Sequence, residues 1–423
     1  MVYVLDKNGH PLMPTERYGK VRRMLKEDKA KVVKRCPFTI KLLYETTENN
    51  TQELTLGVDA GYKHIGVSVT SKTKEVYASE SELRTDVVNN LSNRKEFRKA
   101  RRNRKTRYRK PKFNNRTSSK PKGWLAPSVQ TKINSHLKVI EDIHRILPIN
   151  KIIIEVASFD IQKIKNPKIQ GKEYQQGEQL DFWNVREYVL FRDNHTCQCC
   201  KGKSKDKILN VHHIESRKTG GNAPNNLITV CESCHKQIHE EKITLPENVQ
   251  RGKKFNDATF MGVMRWKIYE KLKENYPNVK LTYGYKTKNT RIENNLEKTH
   301  IVDARCITEN PKVEPCQNIF YMKKVRNHNR QLHKATINKG GYRKLNQAPK
   351  ELFGFQLFDK VLYNNIECFI FARRSSGYFD IRKLDGTKIR PSVSYKKLKK
   401  LEMRKTYLTE RRNSATITTL TKT

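Results

Sequence analysis

Acidic residues and long apolar runs are both scarce in this chain of 423 residues. It has 43 aspartates and glutamates against 87 lysines and arginines, so the formal net charge is +44. No apolar run approaches the roughly 18 residues that a membrane-spanning helix needs, and the opening residues lack the basic and then apolar layout of a signal peptide. We therefore expect a soluble cytoplasmic protein with no membrane partner.

The shortage of acidic residues also narrows the choice of partner. A net charge of +44 opposes a compact fold unless a polyanion neutralises it, so nucleic acid is the expected partner. Hydrophobic residues make up 35% of the chain, which is enough for folded cores and argues against wholesale disorder. The length fits two or three domains of roughly 150 residues each. A basic RNA-binding surface like that of a ribosomal protein is the simpler alternative.

The nine cysteines are few and unevenly spread. Two Cys-x-x-Cys pairs, Cys197 with Cys200 and Cys231 with Cys234, are separated by thirty residues. Clustering of this kind favours a metal over disulfide bonds, and four thiolates satisfy the tetrahedral coordination of structural Zn²⁺. Cys199 offers an alternative register for the first pair. The long spacing indicates that a folded segment lies between the pairs.

Histidine and asparagine side chains lie between and just after these cysteine pairs. His212 and His213 are on a β-rich run, Asn226 precedes another, and His235 and His239 share one helical face. This arrangement resembles the zinc-stapled form of the HNH nuclease motif. The resemblance implies that His213 is the general base, that Asn226 orients it, and that the other three histidines hold a divalent ion on the scissile phosphate. A zinc ribbon that binds nucleic acid without cutting it is the alternative.

The most biased stretch of the chain is rich in arginine. Between Arg94 and Lys112, twelve of nineteen residues are lysine or arginine and one is glutamate. No glycine or proline precedes Pro111 in this stretch, so it predicts a long helix that repels itself in isolation. Guanidinium groups match phosphate oxygens, and the interleaved Tyr108 and Phe113 can stack on bases. The expected nucleic-acid-binding residues are Arg94, Arg98, Arg101, Arg102, Arg104, Arg107 and Arg109.

Three acidic residues lie where apolar elements end. Asp59 follows a β-rich run, Glu155 ends another, and Asp303 comes one helical turn after His300. Each acid alone is more often a turn or capping residue, and His300 alone could pack on a helix face. In this order they resemble the three motif blocks of a RuvC nuclease with an RNase H-like fold. That resemblance implies that the acids hold two divalent ions and that His300 accepts a proton or orients water beside them.

The two signatures occur in one chain, with the HNH cluster placed between the second and third acid blocks. Together with the Pro11-Leu12-Met13-Pro14 tetrapeptide and the arginine-rich helix, this order resembles the IscB family of transposon-encoded, RNA-guided DNA endonucleases. The resemblance implies a prokaryotic protein acting at the nucleoid, bound as a monomer to an omega guide RNA. By the same resemblance, HNH cuts the guide-paired strand of a duplex that carries a target-adjacent motif, and RuvC cuts the other strand.

The implied fold class is an α/β multidomain protein. An RNase H-like RuvC core is split by the arginine-rich bridge helix and by a zinc-stapled ββα-metal HNH insertion, and a small β-rich C-terminal domain follows. The implied cofactors are Mg²⁺, two ions at RuvC and one at HNH with Mn²⁺ as an alternative, and Zn²⁺ on four cysteines. The expected segments are a PLMP domain at 1–53, RuvC-I at 54–90, the bridge helix at 91–115, RuvC-II at 116–180, HNH at 181–250, RuvC-III at 251–312 and a C-terminal RNA- and motif-contacting region at 313–423.

Local patterns add expectations about single elements. They predict helices over residues 16–28, 181–193, 256–275 and 289–309, a hairpin over 54–70, a buried strand at 151–157, a barrel-like arrangement after residue 315 and a frayed tail over 411–423.

Three rival functions remain open from the sequence. A protein-only homing or restriction endonuclease would account for the HNH motif but not for the second acid site. A ribosome-associated zinc protein would account for the charge and the cysteines but not for His213, Asn226 and the ordered acids. A transposase could use the RNase H-like acids, although the HNH insertion argues against it.

Overall fold

The protein consists of two compact units, each described here by itself. The computed structural model describes residues 1–46, 51–102, 121, 123–156, 179, 182, 184–215, 222–249, 256–327, 338–342 and 349–413. The core unit comprises Met1–Ser158 and Phe260–Thr423, and the inserted unit comprises Phe159–Thr259. Within the described ranges, no helix is both long enough and apolar enough to cross a bilayer.

The described elements are eighteen strands and eight α-helices. The strands are β1 Val2–Leu5, β2 Pro11–Thr15, β3 Ala30–Lys34, β4 Thr39–Leu42, β5 Thr55–Ala60, β6 His64–Thr70, β7 Glu75–Glu82, β8 Lys151–Glu155, β9 Leu209–His213, β10 Leu227–Cys231, β11 Val279–Thr282, β12 Asn318–Lys324, β13 Lys360–Tyr363, β14 Ile366–Arg373, β15 Tyr378–Arg382, β16 Lys388–Ser394, β17 Lys399–Glu402 and β18 Tyr407–Asn413. The α-helices are α1 Tyr18–Lys26, α2 Val87–Arg102, α3 Pro127–His144, α4 Val185–Arg192, α5 Glu232–His239, α6 Asn256–Asn275, α7 Gly284–Glu293 and α8 His300–Ile307.

A seven-stranded sheet forms the centre of the core unit, in the order β11-β8-β5-β6-β7-β12-β18. Strands β5, β6 and β7 form an antiparallel meander, while β8 runs parallel to β5 and β11 runs parallel to β8. This arrangement of the first five strands is that of the expected RNase H-like fold. The hairpin over 54–70 and the strand beginning at Lys151 are confirmed.

Apolar packing explains why one face of this sheet is covered by α3 and α6. Successive side chains of a strand point to opposite faces, and Leu56 and Val58 of β5 lie on the covered face. They are fully buried in one cluster with residues of both helices. Ile133 and Ile140 come from α3, and Ile268 comes from α6. The expected helix over 256–275 matches α6.

Two smaller sheets complete the core unit. The N-terminal sheet has the order β2-β1-β4-β3 and buries Val2, Val4 and Ile40 with Val21 of α1. The C-terminal sheet has the order β16-β15-β14-β13-β17 and its own apolar cluster around Val361 and Phe379. The expected β-rich C-terminal region is therefore present as an open five-stranded sheet rather than a closed barrel.

Two expectations for the end of the chain were wrong. Strands β12 and β18 extend the central sheet instead of joining the C-terminal one, because both faces of β12 are apolar. Ile319 packs on Ala78, while Phe320 packs in the main core. Residues 411–413 belong to β18, where Arg412 lies 3.9 Å from the centre of the Tyr321 ring, so the start of the expected frayed tail is paired.

The expected single helix over 289–309 is also wrong, because the chain forms α7 and α8 there. Helix α7 ends next to Asn295, which has a left-handed backbone with φ of 52°. Helix α8 then begins after Thr299, whose side chain accepts a hydrogen bond from the Val302 amide. Asparagine tolerates the left-handed region and threonine is a good N-cap, so both residues break the helix for physical reasons.

The inserted unit is built around a hairpin and two helices. Strands β9 and β10 pair in antiparallel register, with His212 opposite Ile228 and His213 opposite Leu227. Helix α5 follows β10 directly, which gives the ββα order expected for this segment. Helix α4 is shorter than the expected helix over 181–193. It is held against the hairpin because Arg192 donates hydrogen bonds to the carbonyls of Pro224 and Leu227.

Candidate active sites

The three acids expected at the RuvC site are brought together by the central sheet. The parallel pairing of Val58 with Ile154 puts Asp59 and Glu155 at the same level on adjacent strands. Asp303 comes from α8, which packs against β5 and β6. The charges of Asp59 and Asp303 both act on the Glu155 carboxyl group. Residues far apart in sequence therefore converge near the C-terminal ends of β5 and β8.

Two glycines allow α8 to approach the sheet closely. A Cβ atom at Gly57 would overlap the Ala304 carbonyl oxygen, and a Cβ atom at Gly66 would overlap the His300 carbonyl oxygen. Any larger residue at either position would force the helix outward. The glycines therefore determine how close His300 and Asp303 come to Asp59.

His300 is bound directly to Asp59. Its Nδ1 lies 2.7 Å from Oδ2 of Asp59, and this hydrogen bond is the main reason that the pKa of His300 is raised. If Nδ1 carries the proton in this contact, Nε2 is the nitrogen left to exchange a proton with a ligand. The histidine expected beside the acids is thus at the site.

The acids are close enough to oppose one another's ionisation. Burial, with a further contribution from the charges of Asp59 and Asp303, raises the pKa of Glu155 to about 7, although the nearby Thr287 side chain acts in the opposite direction. Burial and Asp59 likewise raise the pKa of Asp303. A compact group of carboxylates that repel one another suits divalent cations, which prefer oxygen ligands.

Arg291 is a residue of this site that the sequence analysis missed. Its Nε lies 2.9 Å from Oδ1 of Asp303, and both side chains are largely buried. Neither atom forms a hydrogen bond of favourable geometry, so the contact is an ion pair that leaves a buried carboxylate oxygen unsatisfied. An unsatisfied acidic oxygen in this position fits a metal ligand. No local pattern marks Arg291, because its role follows from the packing of α7 on α8.

In the inserted unit, the four expected cysteines form a single cluster. Ligand atoms of Cys197, Cys200, Cys231 and Cys234 all lie within 4.8 Å of one another, and the Cys200 and Cys231 sulfurs are 3.9 Å apart. Sulfurs at the corners of a tetrahedron around zinc, at about 2.3 Å from the metal, are separated by roughly 3.8 Å. The cluster can therefore hold zinc, and it contains Cys200 rather than Cys199.

The histidines expected to bind the HNH ion also converge. His212, His235 and His239 place one ring nitrogen each within 4.8 Å of the others. Burial, followed by the neighbouring histidines, lowers the pKa of His212 to about 4, and the same causes lower the pKa of His235. Nδ1 of His212 is buried without a hydrogen-bond partner. Neutral imidazoles with a free lone pair are the form that binds a divalent metal, so these residues fit such an ion.

His213 and Asn226 each contact a different part of the chain. Asn226 is fully buried and its amide pairs with the backbone of Glu215, accepting from the N–H at 2.9 Å and donating to the carbonyl at 3.0 Å. It thus fixes the chain just after His213. Nε2 of His213 lies 3.0 Å from Oδ1 of Asn222, a contact that the sequence analysis missed because a loop asparagine carries no distinguishing pattern.

The arginine-rich segment is described only in part. Helix α2 includes Arg94 and Arg98, and both are exposed. The last two residues of this helix are Arg101 and Arg102. The expected contacts of Arg104, Arg107 and Arg109 lie outside the described residues.

Comparisons with known proteins identify two regions of the chain. A family model described as RRXRR protein matches residues 2–177, and a model described as HNH endonuclease matches residues 197–241. The chain is also similar to a solved structure of Streptococcus thermophilus Cas9 in complex with AGGA PAM, with 14% identity and a TM-score of 0.29. That similarity covers 44% of this chain and 26% of the Cas9 chain, so the present chain matches about a quarter of that protein's length. No curated protein matches the chain.

The HNH endonuclease domain places the protein among the nucleases, a class of enzymes that uses divalent metals at this motif. The RRXRR match precedes the HNH match along the chain, which is the order expected for an arginine-rich segment followed by an HNH insertion.

Proposed function

We propose that this protein is an RNA-guided endonuclease that cuts both strands of a DNA duplex. The observation that carries the proposal is the presence of two chemically distinct clusters of side chains, one of carboxylates and one of imidazoles, in a chain with a net charge of +44. One centre is sufficient to cut one strand. Two centres of different composition suit a reaction that must cut two strands of opposite polarity.

At the RuvC centre, Asp59, Glu155 and Asp303 would hold two divalent ions, Mg²⁺ or Mn²⁺. When bound, these ions supply an activated water and stabilise charge on the phosphate. The chain's own residues position the reaction. Asp59 orients His300 through its Nδ1, and Nε2 of His300 takes a proton at the site.

At the HNH centre, His213 is the general base, and His212, His235 and His239 would hold one divalent ion. When bound, that ion would neutralise charge developing on the scissile phosphate. Asn226 holds the backbone that follows His213, so it orients the base through the chain. A zinc ion on the four cysteines would tie the two cysteine pairs to the apolar cluster of this unit, because Cys197, Cys231 and Cys234 are buried there with Ile228 and Val230.

Guide recognition is proposed from charge and from the IscB-like order of the two family matches. The basic helix α2 and the arginine-rich sequence after it contact phosphates of an omega RNA and of its duplex with the target strand. Base pairing selects the sequence, and the C-terminal region contacts a short target-adjacent motif. HNH cuts the guide-paired strand and RuvC cuts the displaced strand. The protein acts as a monomer in this ribonucleoprotein, with the segment boundaries given by the sequence analysis.

The proposal is tested by identifying RNA that copurifies with the protein and by reprogramming its guide segment. We expect one defined transcript, and we expect Mg²⁺-dependent cleavage of a duplex only when it matches the new guide. A protein-only endonuclease would retain cleavage after ribonuclease treatment and would ignore the guide sequence. An RNA-binding zinc protein would carry RNA without cutting DNA, and either result would reject the proposal.

A further inference from the structure

A row of residues crosses three strands of the central sheet beside the RuvC acids. In the antiparallel meander, Asp59 of β5 is directly opposite Gly66 of β6, and Gly66 is directly opposite Glu80 of β7. Directly paired residues project from the same face of a sheet. Two carboxylates therefore flank a glycine on the face that carries α8, and the sequence analysis assigned no role to Glu80.

The first residue of α8 occupies the space above that glycine. The His300 carbonyl oxygen lies where a Cβ atom of Gly66 would be, so His300 is positioned over the row. His64 comes two residues before Gly66 on the same strand, and it therefore projects to the same face. Ring nitrogens of His64 and His300 and a carboxylate oxygen of Glu80 all lie within 4.8 Å of one another.

The two histidine rings are held in a parallel arrangement between the two carboxylates. Their centroids are 5.3 Å apart and their planes differ by 7°. On one side, Nδ1 of His300 contacts Asp59 at 2.7 Å. On the other side, Nδ1 of His64 lies 2.8 Å from Oε1 of Glu80, an ion-pair contact without favourable hydrogen-bond geometry. Each imidazole thus has its own carboxylate, and the rings pack on each other.

This geometry favours positioning of a ring over binding of another metal ion. Lone pairs in two parallel imidazole planes do not converge on one point, and one nitrogen of each ring already faces a carboxylate. His300 has a side chain that is 44% exposed, so the sheet alone does not fix its ring. His64 supplies a flat surface that opposes rotation of that ring, and Glu80 in turn holds His64.

We propose that His64 and Glu80 are positioning residues that hold the His300 imidazole in its productive orientation at the RuvC centre. This inference rests on the proposed function, because it assigns their effect to the strand that RuvC cuts. Burial tends to raise the pKa of Glu80, but His64 and then His300 outweigh it and leave this pKa lowered, which agrees with a carboxylate that stays ionised beside the rings.

The chain offers a matched control on the same strand. Glu82 lies two residues after Glu80 and projects to the same face, but it pairs with Lys323 at 2.8 Å and accepts a hydrogen bond from Tyr321 at 2.7 Å. E82Q therefore changes a second partly buried carboxylate, one directly opposite His64 across the strands, without removing the Glu80 oxygen that faces Nδ1 of His64. H64F keeps a flat ring for stacking, and E80Q keeps an oxygen at the position that faces Nδ1 of His64.

The experiment measures single-turnover cleavage of each DNA strand by the guided complex at saturating Mg²⁺. Loss of residues that orient a functional group commonly costs 10- to 100-fold, so we expect H64A and E80A to slow the RuvC-cut strand by about tenfold or more. The HNH-cut strand should keep its rate in the same reaction. H64F should remain within roughly threefold of the wild type, E80Q should recover part of the loss, and E82Q should have little effect.

Several outcomes would overturn the inference. Equal slowing of both strands, or loss of guide-RNA binding, would indicate a role in the fold or in assembly. A higher Mg²⁺ concentration for half-maximal rate in E80A, with no recovery in E80Q, would make Glu80 a metal ligand. An unchanged rate in H64A would make the stack irrelevant.

A crystallographic comparison separates this inference from the proposed function. In wild-type protein without RNA, His300 should contact Asp59, and in H64A or E80A its ring should be rotated or disordered while α8 stays in place. If guided cleavage fails in the wild type, the proposed function fails, yet this comparison still decides whether His64 and Glu80 position His300. An unmoved ring in both variants would refute the positioning role.

Discussion

The most quantitative prediction concerns Glu155, because its environment penalises the ionised form. Its pKa rises from an ordinary 4.5 to about 7 through burial and the charges of Asp59 and Asp303. A shift of this size corresponds to about 3 kcal/mol, at 1.36 kcal/mol per pKa unit. The folded state keeps this proton to about pH 7, whereas the unfolded chain releases it near pH 4.5. The contribution of Glu155 to stability therefore falls as the pH rises from about 4.5 to 7 and is constant above that range.

The variant E155Q keeps the shape of the side chain and removes the charge. In Mg²⁺-free buffer we expect it to unfold at nearly the wild-type temperature at pH 5 and about 6 °C higher at pH 8.5, taking about 2 °C per kcal/mol for a large unit. It should also lose cleavage of the strand assigned to RuvC, so stability and activity change in opposite directions. Differential scanning fluorimetry at several pH values, together with strand-resolved cleavage, measures both.

A matched control is E141Q. Glu141 lies on α3 and pairs with Lys138 and Arg145 at the surface, so its loss should change stability by less than about 1 kcal/mol and should not grow with pH. If E155Q followed the wild-type pH profile, or if it retained cleavage of both strands, Glu155 would not be part of a cluster of repelling acids and the RuvC assignment would be wrong.

Two further predictions test the packing and the metal of each unit separately. G66A should push α8 away from the sheet and abolish RuvC-strand cleavage, because the added Cβ overlaps the His300 carbonyl. The control G262A should be tolerated, since a Cβ there meets nothing within 4 Å. A G66A enzyme that cuts both strands at the normal rates would contradict the close approach of α8 to the sheet. C200S should contain less zinc than the wild type when measured by atomic absorption, and it should cut the HNH-assigned strand more slowly. C199S should keep both the zinc content and the cleavage rate of the wild type. Equal zinc loss in the two variants would contradict the four-cysteine cluster.

The sequence predicted the parts of the sites that rely on local spacing. Cysteine pairs, adjacent histidines and a helical histidine pair are short-range patterns, and the structure brings each set together. The three acids could be recognised as successive blocks along the chain because each lies where an apolar element ends. Their convergence depends on the parallel pairing of β8 with β5 and on α8, which the RNase H-like resemblance supplied.

Features that depend on cross-strand register could not be predicted from the sequence. Glu80 faces the RuvC site because it is opposite Gly66, and no pattern within β7 marks it. Arg291 reaches Asp303 only because α7 packs on α8. Strands β12 and β18 were expected in a C-terminal barrel, since alternation of apolar residues identifies a strand but does not say which sheet it joins.

The central claim is that two independent, guide-directed sites each cut one strand. The most direct measurement is cleavage of a guide-matched duplex labelled differently on each strand, by the wild type and by D59A, H213A and the double variant. We predict that D59A cuts only the guide-paired strand, that H213A cuts only the displaced strand, and that the double variant binds the duplex but leaves both strands intact. Equal loss of both cuts from either single substitution, or cleavage of unmatched DNA without guide RNA, would contradict the account.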